Sequence, residues 1–285
     1  MKAIILAGGQ GLRLYPQTKI INKHLISVYD KPMIYYPLSI AMLSKIKNIA
    51  IVCNEKDKNN FFDLLKDGSD LGIKISYYIQ NKSDGIAGAI KTCENFISND
   101  KIMVLLGDNI FYGNNLIKLL TKNYVSHCTI FSYSTANYKN FGVIEYKKNK
   151  IYKIHEKPKK FYSSRIVVGL YIFKKNLINK INSIKKSKRQ EFEITDVLNK
   201  YIQSNQCNEI KLKRGVTWFD TGTFDDLLKA SNFIKIVEEE QLQKIGLIEN
   251  IALSEGYISK KNYIKLIKKN KNSDYRKKLI ESIGQ

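Results

Sequence analysis

Histidine, cysteine and acidic side chains are all in short supply in this 285-residue chain, and each shortage removes a class of chemistry. The three histidines (His24, His127, His155) and four cysteines (Cys53, Cys93, Cys128, Cys207) are scattered. No two cysteines stand at a redox or metal-ligand spacing and no histidine joins them, which argues against structural zinc and against a disulfide framework. Long apolar runs are missing too. None is long enough to cross a bilayer, and the run at 3–7 is too short, and too soon followed by glycine, to serve as a secretory signal. The expectation is a soluble, cytoplasmic protein with no membrane partner. Acidic residues number 26 against 48 lysines and arginines, a net charge of +22. Such an excess raises nucleic acid as a partner, but here the lysines spread over nearly every segment, with no recognised module and no basic–aromatic interleaving. No nucleic-acid partner is therefore expected, while small acidic ligands such as nucleotides gain from the field.

What the chain does have is enough apolar residue, 44%, for one large domain or a domain with a subdomain. Its organising stretch is the N-terminus. The run at 3–7 reads as a buried parallel strand and breaks into Gly8, Gly9 and Gly11, a loop whose backbone N–H groups can turn toward an anion. Arg13 and Lys23 add full charges there. A glycine triplet alone is equally compatible with a tight turn flanked by solvated basic residues. Downstream, strands at 48–53, 74–80 and 101–106 alternate with helices at 32–45, 57–66, 86–97 and 115–123. That alternation predicts an α/β fold with a parallel sheet covered on both faces, whose ligands gather at the carboxyl ends of the strands. The second half adds strands at 129–134, 142–146, 151–155, 166–173, 209–212 and 216–219, and helices at 176–184, 194–203 and 223–243. The sheet is therefore read as mixed and mostly parallel. Two amphipathic helices at 260–269 and 274–283 suggest an appended helical piece used as an intersubunit contact, so that 1–243 forms the α/β domain and 244–285 the helical subdomain of a homo-oligomer, dimer or tetramer.

Two common nucleotide loops fail on the stretch 7–13. The dinucleotide fingerprint needs glycine where Leu14 stands, and no lysine follows Gly8 at the P-loop spacing. What remains, Gly8-Gly9-x-Gly11-x-Arg13-Leu14 with Pro16 and Lys23, resembles the signature of nucleotidyltransferases that activate sugar 1-phosphates. An ordered series of further motifs supports this: Tyr29-Asp30-Lys31-Pro32, Leu106-Gly107-Asp108-Asn109, Phe141-Gly142-Val143, Glu156-Lys157-Pro158, Gly169-Leu170-Tyr171, Glu193-Ile194-Thr195-Asp196 and Trp218-Phe219-Asp220-Thr221-Gly222-Thr223. The resemblance covers residues 1 to about 236 and implies a Rossmann-like, three-layer nucleotide-diphospho-sugar transferase fold.

The implied reaction is attack by the phosphate oxygen of glucose 1-phosphate on the α-phosphorus of dTTP, giving dTDP-glucose and pyrophosphate. Two polyanions must meet, so catalysis is largely positioning and charge neutralisation. Asp108 and Asp220, each at a predicted strand end, are the candidates for holding Mg²⁺, a hard ion that takes one or two carboxylates; an isolated Gly-Asp would merely cap a turn. Arg13, Lys23 and Asp108 are the candidate catalytic residues, with Gly8, Gly9 and Gly11 around the triphosphate. By the resemblance, Gln80 and Gly85 read the base, Lys157 and Arg189 bind the sugar phosphate, and Asn109, Gly142, Glu156 and Gly169 contact sugar hydroxyls. A plain basic loop is an equal reading of Arg189. The chain departs from the family pattern at Leu12, His24, Ser27, Gly88, Val168 and Gln190. Those at Leu12, Gly88 and Val168 bear on base and sugar identity, leaving UTP or another hexose 1-phosphate as alternatives, with a catalytically silent nucleotide or sugar-phosphate sensor as a further one.

Overall fold

Among the residues described by the computed structural model, 1–122, 124–270 and 272–283, there are thirteen strands and eleven helices. The strands are β1 (Lys2–Leu6), β2 (Ser27–Val28), β3 (Lys31–Pro32), β4 (Asn48–Cys53), β5 (Lys74–Ile79), β6 (Ile102–Leu106), β7 (Asn109–Tyr112), β8 (Cys128–Ser134), β9 (Gly142–Lys147), β10 (Lys150–Glu156), β11 (Arg165–Phe173), β12 (Cys207–Lys211) and β13 (Thr217–Asp220). The helices are α1 (Tyr35–Leu43), α2 (Lys58–Leu65), α3 (Gly85–Lys91), α4 (Glu94–Ile97), α5 (Leu116–Thr121), α6 (Leu177–Asn182), α7 (Ile194–Gln203), α8 (Phe224–Gln241), α9 (Ile248–Ser254), α10 (Lys260–Lys269) and α11 (Asp274–Glu281).

Nine strands form the main sheet, with β5-β4-β1-β6 all parallel and β5 at the edge. β11 then runs antiparallel to β6 and to β8, β9 and β10 pair antiparallel, and β12 lies parallel to β8. The central strands are apolar on both faces because each face is covered. Ala3, Ile5, Ile49, Ile51, Met103 and Leu105 enter one cluster with α1, α2 and α5. Ile4, Leu6, Ala50, Val52, Ile102 and Val104 enter a second with α3, α6 and α7. This period of two through continuous apolar runs is the mark of a three-layer sandwich. A third cluster joins Ile110 of β7 to Leu227, Ala230 and Ile234 of α8.

Several expected elements change at their ends for local reasons. Lys31 and Pro32 pair with Ser27 and Val28, so the first helix begins at Tyr35, with Pro37 in its first turn where the missing N–H costs nothing. The helix read over 86–97 divides into α3 and α4. Between them the Thr92 hydroxyl donates to the Ala89 carbonyl at 2.7 Å, the kind of local bond that competes with the helix ladder. α5 ends at Thr121, and the expected helix end at 123 lies outside the described residues. α8 starts on Thr223, whose side chain accepts from the Asp226 N–H, with Asp225 and Asp226 in the first turn.

The C-terminal helices pack apolar residues onto this same chain, while Ile264 and Ile280 stay exposed. Ile248, Ile251, Ala252, Tyr263, Ile267 and Leu279 belong to the cluster that contains α1. Lys278 of α11 pairs with Asp30 and, at 2.9 Å, with Glu238, while buried Lys31 pairs with the same two carboxylates. The four charges form a closed network holding α11 against the turn between β2 and β3 and against α8.

Candidate active site

The carboxyl ends of β1, β5 and β6 open into one cleft of about 630 Å³, where parallel sheets place their ligands. Every residue given a catalytic, binding or metal role from the sequence lines it. Gly8, Gly9, Gly11, Arg13 and Lys23 come from the loop region after β1, and Gln80 and Gly85 follow β5. Asp108, Asn109 and Asp220 come from the junction of β6, β7 and β13. Gly142, Glu156, Lys157, Gly169 and Arg189 come from the antiparallel half of the sheet and the segment before α7.

The glycine loop is anchored from below by side chains that the sequence reading left without a role. Asn22, buried, donates to the Ala7 carbonyl at 3.2 Å and to Asp57 at 2.7 Å, and accepts from the His24 N–H at 2.9 Å. Asp57 carries no sequence signal for this, since it reads simply as a helix start. His24 is buried and its imidazole is pushed down to about 4, chiefly by burial, so it is neutral, with Nδ1 2.9 Å from Asn22 Oδ1. Gly11 adopts the left-handed conformation, φ 63°, and a Cβ there would come within 2.8 Å of Thr18 Cγ2. The loop thus passes close over Thr18, whose hydroxyl donates to the Gly11 carbonyl at 3.0 Å.

β7 and β13 form a two-stranded antiparallel ribbon with Asp220 opposite Asn109. Thr221 ties the ribbon to the end of β6, its N–H and hydroxyl donating to the Asp108 carbonyl at 3.0 and 2.8 Å. The two carboxylates are brought together in this way across 112 positions of sequence. Each has a cation nearby. Lys23 Nζ lies 2.5 Å from Asp108 Oδ2, and Arg13 lies 4.0 Å from Asp220 Oδ2. Burial works to raise the Asp108 carboxyl, but the Lys23 charge overrules it and holds the group down at about 2. Asp220 is pushed up to about 6 by burial and by the charge of Asp108. The second shift is the electrostatic signature of two carboxylates sharing a site. A Cβ at Gly222 would sit 2.4 Å from the Arg13 guanidinium, so this glycine clears the path of that side chain.

Among the described residues no group of three or more His, Cys, Asp or Glu side chains is arranged for a metal. An all-oxygen pair of carboxylates fits an ion that keeps its other positions for water and phosphate oxygens, as Mg²⁺ does. Asn109 stands behind the pair. Its Nδ2 donates to Asp108 Oδ1 at 2.9 Å, and its Oδ1 accepts from the Gly169 N–H at 3.0 Å and from Trp218 Nε1 at 2.7 Å. The Gly169 N–H is thus spent on Asn109, while the residue still lines the cleft. A Cβ at Gly169 would meet Leu106 at 2.5 Å and Asn109 Oδ1 at 2.7 Å.

On the base side, Gln80 Nε2 donates to Asp84 Oδ1 at 3.2 Å and to the Gly85 carbonyl at 3.4 Å. Its carbonyl oxygen is left toward Gly8, where a Cβ would come within 2.8 Å. Gly88, one of the departures from the family pattern, has a structural reason, because a Cβ there would lie 2.3 Å from the Asp84 carboxylate. The departure at Val168 does not reach the sugar pocket. On β11, Val167, Gly169 and Tyr171 line the cleft, and Val168 points to the other face, into the core. On the sugar side the Glu156 carboxyl is raised by burial and by Glu193. Arg189 lines the cleft, but its guanidinium is engaged by Glu193 at 2.8 and 3.1 Å and by Glu156 at 3.2 Å.

Known proteins resemble this chain over nearly its whole length. The profile of the nucleotidyl transferase family matches residues 2–236. A Neisseria meningitidis protein named glucose-1-phosphate thymidylyltransferase is 40% identical, covering 99% of this chain and all of its own. A Mycolicibacterium smegmatis protein of the same name is 43% identical over 90% of each. A Bacillus anthracis structure in complex with sucrose superimposes with a TM-score of 0.76 at 36% identity, covering 82% of this chain and 94% of that one. No helix of the described residues is long and apolar enough to cross a membrane. The cleft with its glycine loop and paired carboxylates lies within the matched span, and the chain belongs to the nucleotidyl transferase family.

Proposed function

We propose that this protein transfers a thymidylyl group from dTTP to glucose 1-phosphate, forming dTDP-glucose and releasing pyrophosphate, with Mg²⁺ held by Asp108 and Asp220. The observation that carries the reading is the meeting of these two carboxylates where the β7–β13 ribbon joins the end of β6, beside a glycine loop and two cations. The relatives named above support the choice of substrates.

In this mechanism the N–H groups of the Gly8–Gly11 loop and the Arg13 guanidinium receive the triphosphate, and Lys23 neutralises charge at the α-phosphorus. With both its N–H donors engaged, Gln80 presents a carbonyl oxygen, which suits the imide N–H of thymine or uracil and not the unprotonated ring nitrogen of cytosine. Glu156 and the Gly142 backbone accept and donate to sugar hydroxyls, while Lys157 and Arg189 hold the sugar phosphate in line with the α-phosphorus. Arg189 must exchange part of its carboxylate contacts to do so. Mg²⁺, held by Asp108 and Asp220, would supply Lewis-acid neutralisation of phosphate charge.

The test is pyrophosphate release by the full chain across a panel of nucleoside triphosphates and sugar 1-phosphates, with Mg²⁺ and with chelator. Turnover with dTTP and glucose 1-phosphate that chelator abolishes is the expected result. Faster turnover with UTP or with another sugar 1-phosphate would overturn the substrate assignment, and tight nucleotide binding without turnover would overturn the enzymatic one.

A further inference from the structure

The chain has one tryptophan, Trp218, and its indole N–H does not face solvent or substrate but is spent on Asn109 Oδ1, 2.7 Å away. The Gly169 N–H donates to the same oxygen at 3.0 Å. Two donors on one oxygen leave the buried amide a single orientation, since the flipped amide would set its NH₂ against two N–H groups. In the allowed orientation Nδ2 faces Asp108 Oδ1 at 2.9 Å, while Lys23 holds Oδ2 at 2.5 Å. Both oxygens of the carboxylate are therefore occupied by fixed donors, and its plane cannot turn freely.

From this geometry we infer that Trp218 is a positioning residue of the metal site, acting through the Asn109 amide to set the orientation of the Asp108 carboxylate. The inference rests on Asp108 being a cation ligand. Partners behind a ligand fix its direction and basicity, and their loss typically costs about 10- to 100-fold in metal affinity. The ring itself is held apart from this role, packed against Phe141 at 5.3 Å and Tyr133 at 5.7 Å between centroids. Phenylalanine keeps an aromatic ring between those neighbours and removes the donor, along with part of the indole's bulk. Trp218 also lines the cleft, so a competing role exists, as a plain wall against the sugar. The two roles separate cleanly: a wall sets the KM for glucose 1-phosphate, whereas an orienting donor sets the affinity for the cation.

Calorimetric titration of Mn²⁺ into the full chain tests this with no turnover involved, comparing wild type, Trp218→Phe, Asn109→Ala, the double variant and Asp108→Asn. Thermal melting confirms that each is folded. We expect Trp218→Phe to weaken Mn²⁺ binding by about tenfold, Asn109→Ala by at least as much, and the double variant no further than Asn109→Ala alone. The KM for glucose 1-phosphate should stay within about twofold in Trp218→Phe while the half-saturating Mg²⁺ concentration rises. Unchanged Mn²⁺ affinity in Trp218→Phe, or effects of the two substitutions that simply add, would overturn the inference and leave the metal site standing. Equal Mn²⁺ binding by wild type and Asp108→Asn would overturn both.

Discussion

Asp108 and Asp220 face the same cleft and yet are set differently, one held ionised by an ammonium at 2.5 Å, the other raised by burial and by its neighbour's charge. Replacing Asp108 by asparagine keeps the shape and removes the charge. Its turnover should fall by about two orders of magnitude or more with little loss of melting temperature, and near-wild-type turnover would take Asp108 out of the metal role. Gly169 makes the complementary point about space. A methyl group there would overlap Leu106 and Asn109, so Gly169→Ala should destabilise by about 1–3 kcal/mol in chemical denaturation and reduce turnover with it. At this scale the sequence was informative about which residues gather, because the motifs name them. It was silent about what they touch: Asn109 reads as a sugar contact, but its partners Gly169 and Trp218 lie 60 and 109 positions away, and no local pattern predicts such bonds.

Among the elements, the central strands were legible because burial on both faces writes them as continuous apolar runs. Of the β7–β13 ribbon only the second strand was, as the run at 216–219. No element was read over 109–112, which become a strand because Thr217–Asp220 arrives from far along the chain to pair with them. β2 and β3, two residues each and paired with one another across a tight turn, are too short for any period to show. Thr221 fixes the ribbon to β6 and is wholly buried, with its hydroxyl on the Asp108 carbonyl. Thr221→Val retains the volume and strands that carbonyl with one donor fewer. It should cost about 1 kcal/mol in a denaturant melt and lower turnover several-fold, whereas unchanged turnover would show that the ribbon's attachment does not matter to the site.

For the whole molecule, the sequence suggested a C-terminal piece used between subunits and did not say how it attaches to its own chain. It does so through the cluster shared with α1 and through Asp30, Lys31, Glu238 and Lys278. Composition could not show this, because lysines are everywhere and only the fold distinguishes Lys31 and Lys278 from the solvated ones. Burial would raise the Asp30 carboxyl, but Lys31 and Lys278 overrule it and hold it below the usual range. A carboxyl lowered in the folded state stabilises above its unfolded value of about 3.9, and that contribution is lost as pH falls through the folded value. Wild type should therefore exceed Asp30→Asn in stability at about pH 7, with a smaller gap at about pH 3, as read by thermal melts at both. A gap of the same size at both values would mean that the charge of Asp30 is not what stabilises the network.

The central claim, that Asp108 and Asp220 act as one unit on one cation, is tested most directly by the Mg²⁺-dependent rate of pyrophosphate release in Asp108→Asn, Asp220→Asn and the double variant. Residues that act as a unit give a double variant hardly slower than the worse single one, and that is the result expected here. Losses that multiply across the two sites, or a single variant with near-normal rate, would contradict the claim.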